Sequence, residues 1–148
     1  MDPNHYRLSS VWQLPAEPDR VYRALEDVAR YPQWWPQIRS VRQLDAHSGE
    51  LAIRSILPYG LRVTVREQYR DAAAGLLQAE LGGDLQGWSR WRVCPAARGP
   101  GARVLFEEDV RPAKALMRRL APIARPLFIA NHAAMMRAGQ RGLGAHLA

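Results

Sequence analysis

The sequence is poor in cysteine, lysine and long apolar runs, and each shortage excludes a class of protein. Cys94 is the single cysteine, so we expect no internal disulfide and no cysteine-based metal site, which suits a reducing cytosol. Residues 1–10 lack the cationic start and apolar core of a signal peptide. No uncharged apolar run reaches the ~18 residues that span a bilayer, since Arg125 and two prolines interrupt 121–136. A cytoplasmic protein is therefore expected.

Arginine is abundant where lysine is missing. The 148 residues carry 21 Lys and Arg, all but Lys114 being Arg, against 14 Asp and Glu, for a net charge of +7. Such a charge raises nucleic acid or an anionic membrane as partners. The arginines are scattered and no helix-turn-helix, RNP or zinc motif accompanies them, so we interpret them as solvated surface and expect no nucleic-acid partner. The length and a hydrophobic content of 47% predict one domain, 1–148, with its own core.

Alternating apolar and polar residues predict a largely antiparallel β-structure. The turn signals between the apolar runs are short, and short connections favour a meander of neighbouring antiparallel strands. The predicted strands lie near 5–14, 38–45, 50–57, 61–70, 75–82, 86–94 and 102–110.

Helices are predicted after the first strand and at the end of the chain. Asp19 is the expected N-cap of the first helix, which should end before Pro32, followed by a single turn. After Pro112 the pattern is helical to the end, and Pro122 and Pro126 are expected to kink it. Its predicted apolar stripe contains Leu116, Leu120, Ile123, Leu127, Ala134 and Ala138.

This order of elements predicts an α+β fold. A curved antiparallel sheet of six or seven strands would wrap around the long C-terminal helix, because that helix is the only long apolar element able to cover it. The two short helices between strands 1 and 2 would close one end. Such strong curvature leaves a space between the sheet and the helix. The function then depends on what fills that space.

Two glutamates interrupt otherwise apolar faces of the predicted strands. In 61–70 the apolar face continues to Glu67 and Tyr69, and in 102–110 it includes Glu108. A carboxylate that points inward needs a partner, a raised pKa or water in a cavity. Both glutamates are therefore candidates for contacting a hydroxyl or keto group of a ligand, or for general acid–base catalysis.

Each of these candidates also has a structural alternative. A β-bulge would turn a glutamate outward, or an arginine such as Arg54 or Arg103 would pair with it. His132, next to Asn131 on the last helix, is a third candidate for proton transfer. Its alternative is a histidine at the edge of the core, bonded to backbone or water.

The expected ligand contacts combine inward strand positions, tryptophans near turns and apolar positions of the last helix. They are Trp34, Trp35, Tyr59, Val65, Glu67, Tyr69, Ser89, Trp91, Phe106, Glu108, Leu127, Asn131 and Met135. No histidines are spaced as metal ligands, and no Gly-x-Ser-x-Gly or phosphate-loop motif occurs. We therefore expect no metal, no nucleotide cofactor and no covalent catalysis.

Three short motifs and the order of elements resemble the START-like helix-grip superfamily (SRPBCC), and within it the polyketide cyclase/dehydrase and lipid-transport family. The motifs are Pro18-x-x-Val21-Tyr22-x-x-Leu25-x-Asp27, Tyr31-Pro32-Gln33-Trp34-Trp35-Pro36 and Gly87-Trp88-x-x-Trp91. The resemblance implies a helix-grip fold with a deep apolar pocket for a lipid, quinone, terpenoid or polyketide. Some members are aromatases or cyclases, but no catalytic set of theirs can be matched position by position here.

Three functional hypotheses follow. The first is a carrier or sensor of a hydrophobic small molecule. The second is an enzyme of the cyclase/dehydratase type in which Glu67, Glu108 or His132 acts as acid or base. The third is a peripheral protein that contacts anionic membranes transiently through arginines of the last helix. Those arginines are Arg118, Arg119, Arg125, Arg137 and Arg141.

Overall fold

A computed structural model describes residues 4–54, 60–113 and 121–148. The described residues form seven β-strands, two α-helices and one 3₁₀ helix. In chain order they are β1 (Tyr6–Leu14), α1 (Pro18–Glu26), the 3₁₀ helix (Val28–Gln33), β2 (Ile38–Asp45), β3 (Ser48–Ile53), β4 (Leu61–Asp71), β5 (Leu76–Gly83), β6 (Leu85–Pro95), β7 (Ala102–Pro112) and α2 (Ala121–His146).

The strands form one antiparallel sheet with the order β1-β7-β6-β5-β4-β3-β2. Strands β2 to β7 pair with their neighbours in sequence, whereas β1 pairs with β7 over its whole length, from Tyr6 opposite Val110 to Leu14 opposite Ala102. The meander and the helix-grip α+β architecture predicted from the sequence are confirmed. The predicted strand 50–57 is realised as β3 up to Ile53, and its last three residues lie outside the described ones.

The prediction for the start and end of the first helix was wrong in two details. Helix α1 begins at Pro18 with Glu17 as its N-cap, so Asp19 lies in the first turn. Proline favours the first helical position because its fixed φ suits the helix and its missing N–H is not needed there, while Asp19 still interacts favourably with the helix dipole. The α-helix ends at Glu26, and Pro32 lies inside the following 3₁₀ helix.

The predicted apolar stripe of the last helix was also wrong at Ile123 and Leu127, whereas its members Ala134 and Ala138 are half-buried. In α2 the side chains of Ile123 and Leu127 are 73% and 49% exposed. The helix instead buries a stripe shifted around its axis, and Leu116 and Leu120 lie outside the described residues. None of the helices in the described part of the chain combines the length and apolar character needed to cross a membrane. The buried stripe consists of Phe128, Asn131, Met136, Gly139 and Leu143.

A cluster of aromatic side chains, here termed the aromatic end, holds α2 against the sheet. It consists of Trp12, Tyr31, Trp34, Trp35 and Trp91, all of them buried. Trp34 and Trp35 are stacked with ring centroids 5.3 Å apart, and the Trp35 indole Nε1–H donates to the carbonyl oxygen of Met135 on α2 at 2.9 Å. This bond joins the two segments across the core.

Two glycines let α2 approach the aromatic end closely. A Cβ atom on Gly139 would lie 2.7 Å from Cε2 of Trp35 and 2.8 Å from Cζ2 of Trp12. A Cβ atom on Gly142 would collide with the backbone carbonyl oxygen of Trp34. Glycine is therefore required at these helical positions for close packing, at the expense of helix propensity.

Candidate functional site

A cavity of about 490 Å³ lies between the concave face of the sheet, the α1–3₁₀ region and α2. This volume is in the range of small-molecule sites. Its walls are mainly apolar and aromatic. Nine of the residues expected from the sequence to contact a ligand line it, namely Trp35, Val65, Glu67, Tyr69, Ser89, Trp91, Phe106, Glu108 and Met135.

Three of the other expected contact residues do not line the cavity. Trp34 is buried behind Trp35, on which it stacks. Leu127 projects from α2 and is about half exposed, and Asn131 is buried on that helix; neither is among the described residues that line the cavity. Tyr59 lies outside the described residues. Trp34, Leu127 and Asn131 are therefore not part of the cavity wall.

The strand register places four cavity residues in one row across the sheet. Glu67 on β4 is opposite Ala79 on β5, Ala79 is opposite Ser89 on β6, and Ser89 is opposite Glu108 on β7. All four line the cavity. Adjacent strands lie ~4.8 Å apart, so the row extends over about 14 Å before curvature is considered. We call it the polar row, because three of its four members carry oxygen atoms in their side chains.

At one end of the polar row, Glu108 meets His132 of α2. The Nε2 atom of His132 lies 3.0 Å from Oε1 of Glu108, and the two side chains are 13% and 9% exposed. The distance suits an ion pair when the imidazole is protonated, although Nε2 makes no aligned hydrogen bond within the described residues. The sequence identified both residues as candidates but contained no signal that they would be neighbours. Glu108 lines the cavity and His132 contacts it from outside the wall, so Glu108 is the member of the pair that can exchange a proton with a ligand oxygen.

At the other end, charged side chains surround the mouth of the cavity. Arg70 donates to Oε2 of Glu26 at 3.2 Å, and its Nε lies 3.4 Å from Oε1 of Glu67. His47, in the β2–β3 turn, lies 3.4 Å from Oε2 of Glu67. We call Glu26, His47, Glu67 and Arg70 the charged rim. Sequence reasoning missed three of its members because no local pattern brings α1, a turn and a strand end together.

Glu67 therefore has partners, but different ones from those considered at the sequence level. Arg70, three residues along the same strand, pairs with it, whereas neither Arg54 nor Arg103 is among its described partners. A β-bulge separates Glu67 from Tyr69 in the pairing with β5. Glu67 and Tyr69 nevertheless both line the cavity, as alternation along a strand predicts for residues two positions apart.

Hydrogen bonds and burial shift the pKa of several groups around the cavity. The backbone N–H of His47 donates to Oδ1 of Asp45 at 2.8 Å and lowers the pKa of that carboxyl, with Ser48 and Arg66 acting in the same direction. Burial raises the pKa of the Tyr31 phenol, which donates to the carbonyl oxygen of Leu25. Asp45 is therefore held in its charged form and Tyr31 in its neutral form at neutral pH.

The described residues offer no ready metal centre. Among residues 4–54, 60–113 and 121–148, no group of three or more His, Cys, Asp or Glu side chains is placed to hold a metal ion. Cys94 lies at the end of β6 as a free thiol. In the described part of the chain, the ionisable and hydroxyl side chains that line the cavity are five carboxylates, His47, Arg70, two serines and two tyrosines.

Comparison with known families shows to which family the chain belongs. The sequence profile of the polyketide cyclase/dehydrase and lipid transport family matches residues 6–148, which is nearly the whole chain. The protein belongs to this family. A search among curated proteins finds no match. The resemblance inferred from the short tryptophan-rich motifs is thereby confirmed.

Solved structures share the fold of this family member at low sequence identity. TTHA0849 from Thermus thermophilus is 16% identical, with a TM-score of 0.77 over 97% of this chain and 100% of the other. The ZhuI aromatase/cyclase from Streptomyces sp. R1128 is 15% identical, with a TM-score of 0.79 over 97% and 93%. A START superfamily protein from Mycobacterium smegmatis is 17% identical, with a TM-score of 0.72 over 95% and 96%. At such identities the likeness establishes the fold alone.

Proposed function

We propose that this protein binds a hydrophobic small molecule, such as a lipid, quinone, terpenoid or polyketide, in the cavity between the sheet and α2, as a carrier or sensor. The observation that carries the proposal is the cavity of about 490 Å³ with its mainly apolar wall. Burial of apolar ligand surface supplies the affinity, while the few polar groups fix the orientation. The expected compartment is the reducing cytosol, on the evidence of the single free cysteine.

The wall is suited to a ligand with flat or extended apolar parts. Trp91 and Phe106 lie side by side on neighbouring strands with ring centroids 4.5 Å apart, and Trp35 approaches Trp91 at 6.1 Å. Met135 lines the cavity from α2. Aromatic rings offer broad rigid contact surfaces and methionine adapts to irregular shapes. These side chains favour a ring system or an acyl chain over a compact polar metabolite.

Native mass spectrometry of the gently purified protein, followed by denaturing extraction, tests the proposal. A reproducible co-purifying lipid, quinone, terpenoid or polyketide is the expected result. Ala79→Trp should abolish this binding, because Ala79 lies in the middle of the polar row and the larger side chain would occupy the cavity. Glu80→Trp is the matched control, since the exposed Glu80 follows Ala79 on β5 and points to the opposite face of the sheet.

Comparing ligand binding in the two variants shows whether the ligand occupies the cavity. Loss of binding in Ala79→Trp with full binding in Glu80→Trp supports ligand binding in the cavity. If the purified protein is empty and also ignores a panel of these four compound classes, the proposal fails. If both variants retain the ligand, the ligand is bound elsewhere and the proposed site is wrong.

A second candidate function, an enzyme of the cyclase/dehydratase type, is favoured by the contact between Glu108 and His132. A cavity carboxylate backed by an imidazole can act as the acid or base that moves a proton during dehydration of a poly-keto chain. A solved structure of the same fold is named an aromatase/cyclase. Glu108→Gln and Glu67→Gln should then abolish turnover while ligand binding persists. Intact turnover in both variants would exclude this mechanism.

Membrane contact through the last helix is the third candidate. Of its arginines, Arg125 lies over the Tyr6 ring at 4.6 Å and donates to the carbonyl oxygen of His5, so it is engaged within the fold. Arg137 and Arg141 are exposed, whereas Arg118 and Arg119 lie outside the described residues. Flotation with liposomes that contain or lack anionic lipid tests this hypothesis. Equal recovery with both kinds of liposome would end it.

A further inference from the structure

The charge of the cavity wall is opposite to that of the protein. Five carboxylate side chains line the cavity, out of 14 in a chain whose net charge is +7. Among the described residues that line it, Arg70 is the only Lys or Arg. The five carboxylates belong to Glu26, Asp27, Asp45, Glu67 and Glu108.

The arginines next to these carboxylates are already engaged by them. Arg70 is shared between Glu26 and Glu67, as described for the charged rim. Two arginines outside the cavity pair with the remaining carboxylates of the mouth, Arg30 with Asp27 at 3.2 Å and Arg66 with Asp45 at 3.3 Å. Since both of these arginines are largely exposed, water and salt screen their charge strongly. An anionic ligand group at the mouth therefore finds no uncommitted arginine among the described residues.

The deep end of the cavity disfavours an anion as well. No Lys or Arg among the described residues lines that end, and His132, which is not part of the wall, lies 3.0 Å from Glu108. A ligand carboxylate at that end would lie close to the Glu108 carboxylate, in surroundings that screen charge poorly. An ionised carboxylate accepts hydrogen bonds and donates none. Glu108 is consequently matched to a ligand group that donates a hydrogen bond.

We infer that the cavity selects apolar ligands whose polar group is a hydroxyl or a protonated amine, and discriminates against ligands that carry a carboxylate. This inference rests on the proposed function and narrows its ligand class. It holds for either orientation of the ligand, because both ends of the polar row present carboxylates. Within the proposed ligand classes it favours alcohols and phenols over free fatty acids.

A matched series of ligands with one chain and three polar groups tests the inference. The probes are dodecanol, dodecylamine and dodecanoate, titrated at neutral pH into the full-length protein. Trp35 and Trp91 line the cavity, so intrinsic tryptophan fluorescence reports occupancy. Dodecanol and dodecylamine are expected to bind at least about tenfold more tightly than dodecanoate, since a second carboxylate next to Glu67 or Glu108 is repelled.

Variants that remove one negative charge from the cavity wall should reduce the difference in affinity between dodecanol and dodecanoate. In Glu108→Gln and in Glu67→Gln, the affinity for dodecanoate is expected to rise relative to that for dodecanol. Glu107→Gln is the control, because Glu107 neighbours Glu108 on β7 but is absent from the described residues that line the cavity. In the control variant, the ratio of the affinities for dodecanoate and dodecanol should equal that of the wild-type protein. Glu67 lies at the exposed rim, so its variant tests the inference even where Glu108→Gln fails to fold.

The outcomes distinguish this inference from the function on which it rests. A dodecanoate affinity equal to or above that of dodecanol overturns the charge selection while leaving ligand binding intact. If the affinity for dodecanoate relative to dodecanol is unchanged in both glutamine variants, Glu67 and Glu108 are not the cause of the charge selection. If none of the three probes binds and no ligand co-purifies, the proposed function fails and the inference fails with it.

Discussion

The aromatic end and the charged rim lie around the same cavity but are built by different means. At the aromatic end, buried rings contact one another at centroid distances of 5.0 to 6.3 Å and α2 approaches them through Gly139 and Gly142. At the charged rim, long side chains meet at 3.2 to 3.4 Å while remaining substantially exposed. The aromatic end is held together by close packing of rings, and the charged rim is held together by ion pairs.

The difference indicates how stability and selectivity are divided. Aromatic pairs contribute ~0.5–1.5 kcal/mol each beyond their buried area. Exposed ion pairs contribute only ~0–1 kcal/mol, and the side chains of Arg70 and Glu67 are 49% and 35% exposed. The aromatic end should therefore contribute most to stability, whereas the charged rim, together with Glu108, should contribute most to the choice of ligand.

The largest expected effect comes from Trp35→Ala. The side chain is buried and its Nε1–H bonds to Met135, so truncation should lower the free energy of unfolding by ~3–5 kcal/mol. Trp88→Ala is the matched control, because Trp88 is only half-buried and faces away from the cavity under Arg90. Its expected cost is ~1–2 kcal/mol. Denaturant unfolding checks both, and equal losses would contradict the role given to the aromatic end.

The next largest effect is expected at the helix glycines. Gly142→Ala should destabilise the protein by ~2–3 kcal/mol, because its Cβ would collide with the Trp34 carbonyl oxygen. Gly144→Ala, two residues further on, would place its Cβ 3.7 Å from Leu14, an ordinary contact. The control should be neutral or more stable by up to ~1 kcal/mol through helix propensity. Thermal unfolding of both variants measures the difference, and a harmless Gly142→Ala would mean that α2 does not need this close approach.

The smallest effect on stability is expected at the charged rim. Arg70→Met should change the free energy of unfolding by less than ~1 kcal/mol, since the pairs it loses are partly exposed. It leaves Glu26 and Glu67 without their shared cation, so dodecylamine should bind more tightly and dodecanoate more weakly than in the wild-type protein. Fluorescence titration at low and high salt checks this, with the shift shrinking as salt rises. A large loss of stability in Arg70→Met would contradict the small contribution to stability that is assigned to the charged rim.

Much of the fold could be predicted because strand periodicity and turn signals are local. Parity alone placed Glu67, Ser89 and Glu108 on the inner face, and all three line the cavity. The stripe of α2 could not be found in this way. Apolar residues such as Ile123 occur on several sides of that helix, and the side that packs is chosen by Gly139 and Gly142 fitting against tryptophans distant in sequence.

The arrangement of the site required the register and the tertiary contacts. No pattern in the sequence states that Glu108 and His132, 24 positions apart, are 3.0 Å from each other. The charged rim depends on α1, a turn and the end of β4 meeting at one place, and each contributes a charged residue that looks like ordinary surface in the sequence. Several residues of the site could be predicted from the sequence, whereas the contacts between them could not.

The polar row has a consequence for how this cavity could diversify. Its four members come from four different strands, and each is held in place by backbone hydrogen bonds that do not depend on its side chain. A substitution at Ala79 or Ser89 therefore alters a contact with the ligand while the ladder of the sheet persists. New ligand preferences can therefore arise by single substitutions in the middle of the row, whereas changes at its two ends also affect the partners of Glu67 and Glu108.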